Sequence, residues 1–294
     1  MRTSGIIFFL SLIIILTGLA SALPAILNAF PAKPRGFQNI YGNEIEIYGS
    51  GIYKNDSVFS ALGFLAQDIV MLIFGVPILI LLLLLYVNRK VKAAGPALMS
   101  IMGFFLYSFL SLSFGASYNQ FFLLYVLGLS ASFYILILLA REVQLPVAWV
   151  KQLPNKFPGI YLIISGVLTL IIWGIPLLDA AVGDRVPHLL FHNTTLVTHA
   201  LDLAIIVPAS IVGGILILKK HPIGYKIAFP LLGIIIFLLP VILLSTYLQY
   251  DHGMIFNPAE IAGPISGFLI LGILGTWILV RILFSFQKNK LNSL

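Results

Sequence analysis

The chain has 294 residues, 60% of them hydrophobic and only 9% charged, where a soluble globular domain carries about 25% charged residues. A chain this apolar uses lipid as part of its solvent, which excludes an ordinary soluble enzyme or binding module. The formal charge of +7 is first a topology signal, because Lys and Arg gather on the cytoplasmic side of a membrane protein, and no nucleic-acid-binding module accompanies it.

The first apolar run, Ile6 to Leu19, follows Arg2 and precedes Ala20-Ser21-Ala22, which is the grammar of a cleavable signal peptide. The run continues through Leu23, Ala25, Ile26 and Leu27. That length is enough to cross a bilayer, so the segment is read as an uncleaved first span over 5–27. Pro24 is a place to kink or stop it. The segment 28–60 is read as an outer loop whose stretch NEIEIYGSGIY alternates polar and apolar residues before glycines, the pattern of a short hairpin or cap. Seven further apolar stretches follow, at about 61–87, 95–117, 119–140, 158–179, 195–218, 226–248 and 261–285. Each is long enough to cross about 30 Å of hydrocarbon as a helix. The runs are continuous rather than alternating, which argues against a barrel. The expected fold is a single all-α transmembrane domain over 1–294, a polytopic bundle of about eight spans. No internal repeat, inverted or otherwise, stands out.

The connections orient the bundle. Arg2, Arg89, Lys90, Lys92, Arg141, Lys151, Lys156, Lys219, Lys220, Lys226, Arg281, Lys288 and Lys290 fall on one side. Only Lys33, Arg35, Lys54 and Arg185 fall on the other. The alternation places both termini in the cytoplasm and the protein in the cell (inner) membrane. The acids run the opposite way. Glu142 alone lies with the basic set, and an acidic outer surface would concentrate cations or a positively charged ligand.

Cysteine is absent, which removes thiolate metal sites, Cys nucleophiles and disulfides. A serine-hydrolase elbow, a P-loop, a dinucleotide fingerprint and HExxH are absent too. Chemistry therefore has to come from polar residues inside the spans. Asp68 in GFLAQDIVMLIFG and Asp202 in TTLVTHALDLAIIVP each lie about seven residues in from the outer side, or roughly 10 Å deep. They are expected to be able to meet at one depth. A charged Asp in the membrane costs about 2.5–3.5 kcal/mol on insertion scales, so each calls for protonation, a cation or hydrogen-bond donors.

Thr195, Thr198, His199 and Asp202 share one helical face by spacing, above a kink expected at Pro208. Ser100, Tyr107, Ser111 and Tyr118 form a polar stripe in span three, with Asn119 at its end. Glu260 opens span eight, where a first-turn acid complements the helix dipole. His188 and His192 are spaced i, i+4, so a span six that began near Pro187 would align His188, His192, His199 and Asp202 as a candidate metal set. A cation is the one cofactor these residues suggest.

The stretches GIYKNDS, AQDIVMLIFGVPIL, FFLYSFLSLSFGASYNQFFLLYV and TTLVTHALDLAIIVP resemble a widespread group of prokaryotic multi-pass membrane proteins of about eight spans. The resemblance covers about 50–230. It implies the architecture and emphasises Asp68, Asn119 and Asp202, and it supplies no activity. The expectation is an outward-facing polar and acidic pocket lined by Asp68, Tyr107, Asn119, His199, Asp202 and Glu260. Its partners would be the lipid bilayer and a small solute or cation, as in a sensor or transporter-like protein. A membrane enzyme and a ligand-free scaffold are the alternatives.

Overall fold

A computed structural model describes residues 3–88, 91–255 and 258–288, without the side chains of His188, of 258–264 and of Lys288. Eight helices are long and apolar enough to cross a membrane. They are α1 (Thr3–Leu27), α2 (Val58–Val87), α3 (Ala94–Gly115), α4 (Phe122–Glu142), α5 (Lys156–Val182), α6 (Val197–Leu218), α7 (Pro222–Asp251) and α8 (Pro258–Lys288). All eight expected spans are present. Eight traverses return the chain to the face where it began, so the connections α1–α2, α3–α4, α5–α6 and α7–α8 share the opposite face. That face carries the expected hairpin, β1 (Arg35–Gln38) paired antiparallel with β2 (Glu44–Ile47), and is called the hairpin face below. Only the second strand comes from the alternating stretch; the first, RGFQ, lies upstream of it.

Helix α1 runs on past Pro24 to Leu27 and packs along α2 and α4. Gly18 brings it close to Met71 and Val76 of α2, as small residues do where membrane helices approach. The 143–155 linker on the other face holds a one-turn helix, Val147–Val150. Lys92 lies 4.4 Å from the ring centre of Trp149 there.

The packing holds a repeat that the sequence does not advertise. Helices α1–α4 close one ring, α1 on α2, α2 on α3, α3 on α4 and α4 on α1. Helices α5–α8 close another through α5 on α6, α6 on α7 and α7 on α8. The hydroxyl of Tyr161 in α5, donating to Leu271 O of α8 at 2.7 Å, completes it. The rings meet where α3 crosses α7. A Cβ on Gly103 of α3 would strike the Pro230 backbone of α7, and a Cβ on Gly233 of α7 would strike the Ser100 backbone of α3. Each glycine meets the residue three places before the other. That reciprocity is what a local two-fold relation between parallel helices requires. The arrangement is a parallel repeat, not the inverted kind found in many transporters.

Helices α2 and α6 share a further feature. Each contains a π turn, Met71–Gly75 in α2 and Asp202–Ile206 in α6, followed by a regular twelve-residue helix that opens with Val-Pro. In each, the valine N–H reaches back five residues, Val76 to Met71 O and Val207 to Asp202 O. Proline has no N–H and its ring crowds the carbonyl four residues before it. The widened turn relieves that crowding. The irregularity expected at Pro208 thus takes the form of a π turn, and Pro77 has its twin.

Candidate site in α5 and α6

The acids of α2 and α6 are held in different ways. Asp68 is fully buried. Its Oδ2 accepts from the Tyr53 hydroxyl at 2.6 Å, and its Oδ1 has no partner. Tyr53 lies before α2, and burial, followed by the Asp68 charge, pushes its hydroxyl well above the usual phenol range. It therefore stays a donor at any physiological pH. The Tyr125 hydroxyl of α4 lies beside Tyr53 and Asn119. Asn119 uses its amide locally, capping Phe121 N at 2.9 Å and donating to Ser117 O.

Asp202 is partly exposed and has two donors. The Tyr107 hydroxyl of α3 gives to Oδ1 at 3.0 Å, and Trp173 Nε1 of α5 gives to Oδ2 at 3.0 Å. The indole held in this way carries the His199 ring, with centroids 4.2 Å apart. Tyr107, His199 and Asp202 are therefore brought together, with Trp173 as the member that spacing could not reveal.

Asp68 and Asp202 share no hydrogen-bond partner among the described residues. They also lie at different distances from their helix starts. Asp68 is ten residues into α2 and Asp202 five into α6, about 15 Å and about 8 Å of helical rise. The expectation of equal depth assumed starts at 61 and 195. The observed starts are Val58 and Val197, while Gln67, beside Asp68, donates to Ser108 O and Asp202 accepts from the Tyr107 hydroxyl, so both neighbourhoods reach adjacent residues of α3.

The candidate metal set does not line up on one helix. Helix α6 begins at Val197, and His188–Leu190 is a short 3-10 turn followed by Phe191 at φ 45°. His188 and His192 therefore do not continue the helical face of His199, and Thr195 lies outside α6 too. Among the described residues, no three His, Asp or Glu side chains are grouped to hold a metal ion. The side chains of His188 and Glu260 lie outside the described residues. Tyr118 ends up beyond α3 and 81% exposed, while Ser100, Tyr107 and Ser111 are buried in the stripe.

His192 has a different job. Its Nδ1 accepts from Ser57 N–H at 3.1 Å, so Nε2 carries the proton and donates to Asp56 Oδ1 at 3.1 Å. Asp56 Oδ1 also accepts from Ser117 N–H at 2.7 Å. This buried Asp–His pair fastens the α5–α6 connection to the cap before α2. Asn39 Nδ2 reinforces it by donating to Phe191 O at 2.8 Å. The partners are 136 positions apart, so no spacing rule could have joined them.

A cavity of ≈ 260 Å³ opens at the hairpin-face ends of α5 and α6. Trp173, Pro176, Leu177, Ala180 and Leu196 supply apolar walls, and His199 a polar one. Asp179 and Arg185 form an exposed ion pair at its edge, 2.8 Å apart. The Trp173 N–H is committed to Asp202, so the indole offers the cavity only its ring. His199 Nε2 has no hydrogen-bond partner among the described residues and is not among the sealed-off polar atoms. It is the group left to meet an occupant.

Compared with protein-family models, curated proteins and solved structures, the chain matches none.

Proposed function

We propose that this is a sensor or transporter-like membrane protein that takes a small solute into the α5–α6 cavity from the outside, with the hairpin face outward. The reading rests above all on one observation. The cavity's aromatic wall is braced by a hydrogen bond from Trp173 to Asp202, a carboxylate that Tyr107 holds from its other side, and its imidazole has an unspent nitrogen. A merely packed bundle has no need to brace an indole through a partly buried carboxylate; a site has, because fixed walls lower the ordering cost of binding. At ≈ 260 Å³ the space is below the roughly 300–1,000 Å³ of common ligand pockets, so the solute is small. An apolar or aromatic body would lie on Trp173 and one hydrogen-bonding group would meet His199. The basic residues on the opposite face support the orientation. The paired π turns before Pro77 and Pro208 supply places where α2 and α6 can bend as the site fills.

The protein has three tryptophans. Trp149→Phe with Trp277→Phe leaves Trp173 as the sole reporter. Benzyl alcohol, phenol, benzamide and imidazole are titrated against the purified protein. A saturable change in emission with a raised Tm is expected for at least one of them. It should weaken about tenfold in His199→Ala and vanish in Ala180→Phe, which fills the cavity. A response that survives Ala180→Phe, or none from any probe, would sink the reading.

A further inference from the structure

A second and larger cavity, ≈ 600 Å³, lies on the hairpin face over the seam between the two four-helix rings. It adjoins the α5–α6 cavity at Val186 and Pro187, but its carboxylates and ring pair lie outside that cavity, so its fate does not depend on that reading. Its floor is apolar. Phe59 of α2 and Phe191 of the α5–α6 connection stack there with centroids 5.1 Å apart, beside Leu190 and Met254.

The rim has the opposite character. Glu44 and Glu46 of β2 border the cavity, and both are exposed. Neither is in an ion pair among the described residues, whose only carboxylate pairs are Arg185–Asp179 and His192–Asp56. The described lining contains no Lys or Arg. His252 also faces in. Its Nδ1 lies 2.8 Å from Leu248 O, a carbonyl that can only accept, so Nδ1 carries a proton there.

Several donors nearby are already used. Asn39 Nδ2 gives to Phe191 O, Ser57 N–H to His192 Nδ1, and the Ser57 hydroxyl to Ser60. The lining's full charges are the two carboxylates, set above an aromatic floor. An anion would meet two carboxylates, and a neutral donor–acceptor solute would find few donors. A positive group on an apolar body satisfies every surface at once, through the carboxylates at the rim and the ring faces below.

We propose that this crevice binds a small organic cation, an ammonium or guanidinium group carried on an apolar or aromatic body. The rim carboxylates hold the charge and the Phe59–Phe191 floor holds the body.

Dibenzylammonium is the probe, and dibenzyl ether its neutral isostere. Binding to the purified full chain is followed by calorimetry at low and at high salt, with detergent-only titrations subtracted. The ammonium should bind saturably and the ether at least tenfold more weakly. Glu44→Gln with Glu46→Gln should weaken the ammonium about three- to tenfold, the range expected for exposed charges, and remove most of its salt dependence. Glu46→Lys should abolish binding. Glu142→Gln, on the opposite face, and Ala180→Phe, in the other cavity, should leave it unchanged. Equal binding of ammonium and ether, or indifference to the Glu44 and Glu46 changes, would overturn the proposal.

Discussion

The two rings use one device to opposite ends. Helices α2 and α6 each carry an aspartate, a π turn and a Val-Pro step, and in each the aspartate accepts from a tyrosine hydroxyl. In the first ring the carboxyl is sealed away with one oxygen unpartnered. In the second it has two donors, remains partly exposed, and braces the wall of a cavity. An intramembrane acid is therefore not a site by virtue of being there. What separates the two is the neighbour: Tyr53 comes from the cap and plugs the approach to Asp68, while Trp173 comes from the adjacent span and leaves room beyond itself.

The largest expected effect tests the pairing of the rings. Gly103→Leu and Gly233→Leu each drive a side chain into helix backbone, so both should lose several kcal/mol, above the roughly 1–3 kcal/mol usual for overpacking. Folded yield by size-exclusion chromatography should collapse for each alike. Gly267→Leu, with nothing near its added Cβ, is the control and should be tolerated. Unequal outcomes at Gly103 and Gly233 would break the two-fold relation.

The contrast between the acids comes next. Tyr53→Phe leaves Asp68 buried with no donor, and should cost about 1–3 kcal/mol. Tyr107→Phe leaves Asp202 with Trp173, and should cost nearer the ~0.6 kcal/mol average for membrane hydrogen bonds. Unfolding in mixed micelles measures both, and equal losses would erase the distinction. Asp68→Asn should be nearly neutral or stabilising, since the amide oxygen still accepts from Tyr53 while a buried charge is gone. A large loss in that variant, independent of added cations, would point to an ion pair at Asp68.

The smallest effect concerns the brace. Trp173→Phe removes one donor from Asp202 and should change stability by less than about 1 kcal/mol, yet loosen the aromatic wall. Probe affinity in the α5–α6 cavity should fall more than stability does. A proportionate loss of both would make Trp173 an ordinary packing residue.

Continuous apolar runs marked the spans to within a few residues, because lipid demands about twenty such residues per crossing whatever the rest of the chain does. The same physics picked out Asp68 and Asp202, since charge is scarce where it is expensive. The i, i+3 spacing likewise put His199 and Asp202 on one face before any helix was placed. The candidate metal set went astray because spacing continues through a turn in thought but not in backbone: Phe191 adopts φ 45° and resets the direction of the chain. The repeat stayed hidden because it lives in contacts, Gly103 on Pro230 and Gly233 on Ser100, rather than in similar residues.

From its residues alone, this chain's eight-span helical bundle and its costly polar positions could be derived, because both follow from the one-dimensional cost of putting each segment into hydrocarbon. Tertiary structure alone decided which acid is plugged and which braces the wall of a cavity. It also decided that Trp173 braces the site and that His192 fastens the α5–α6 connection to Asp56. Those outcomes depend on which helices become neighbours. Contacts between residues 29, 95 or 136 positions apart are set by packing, on which local periodicity carries no information.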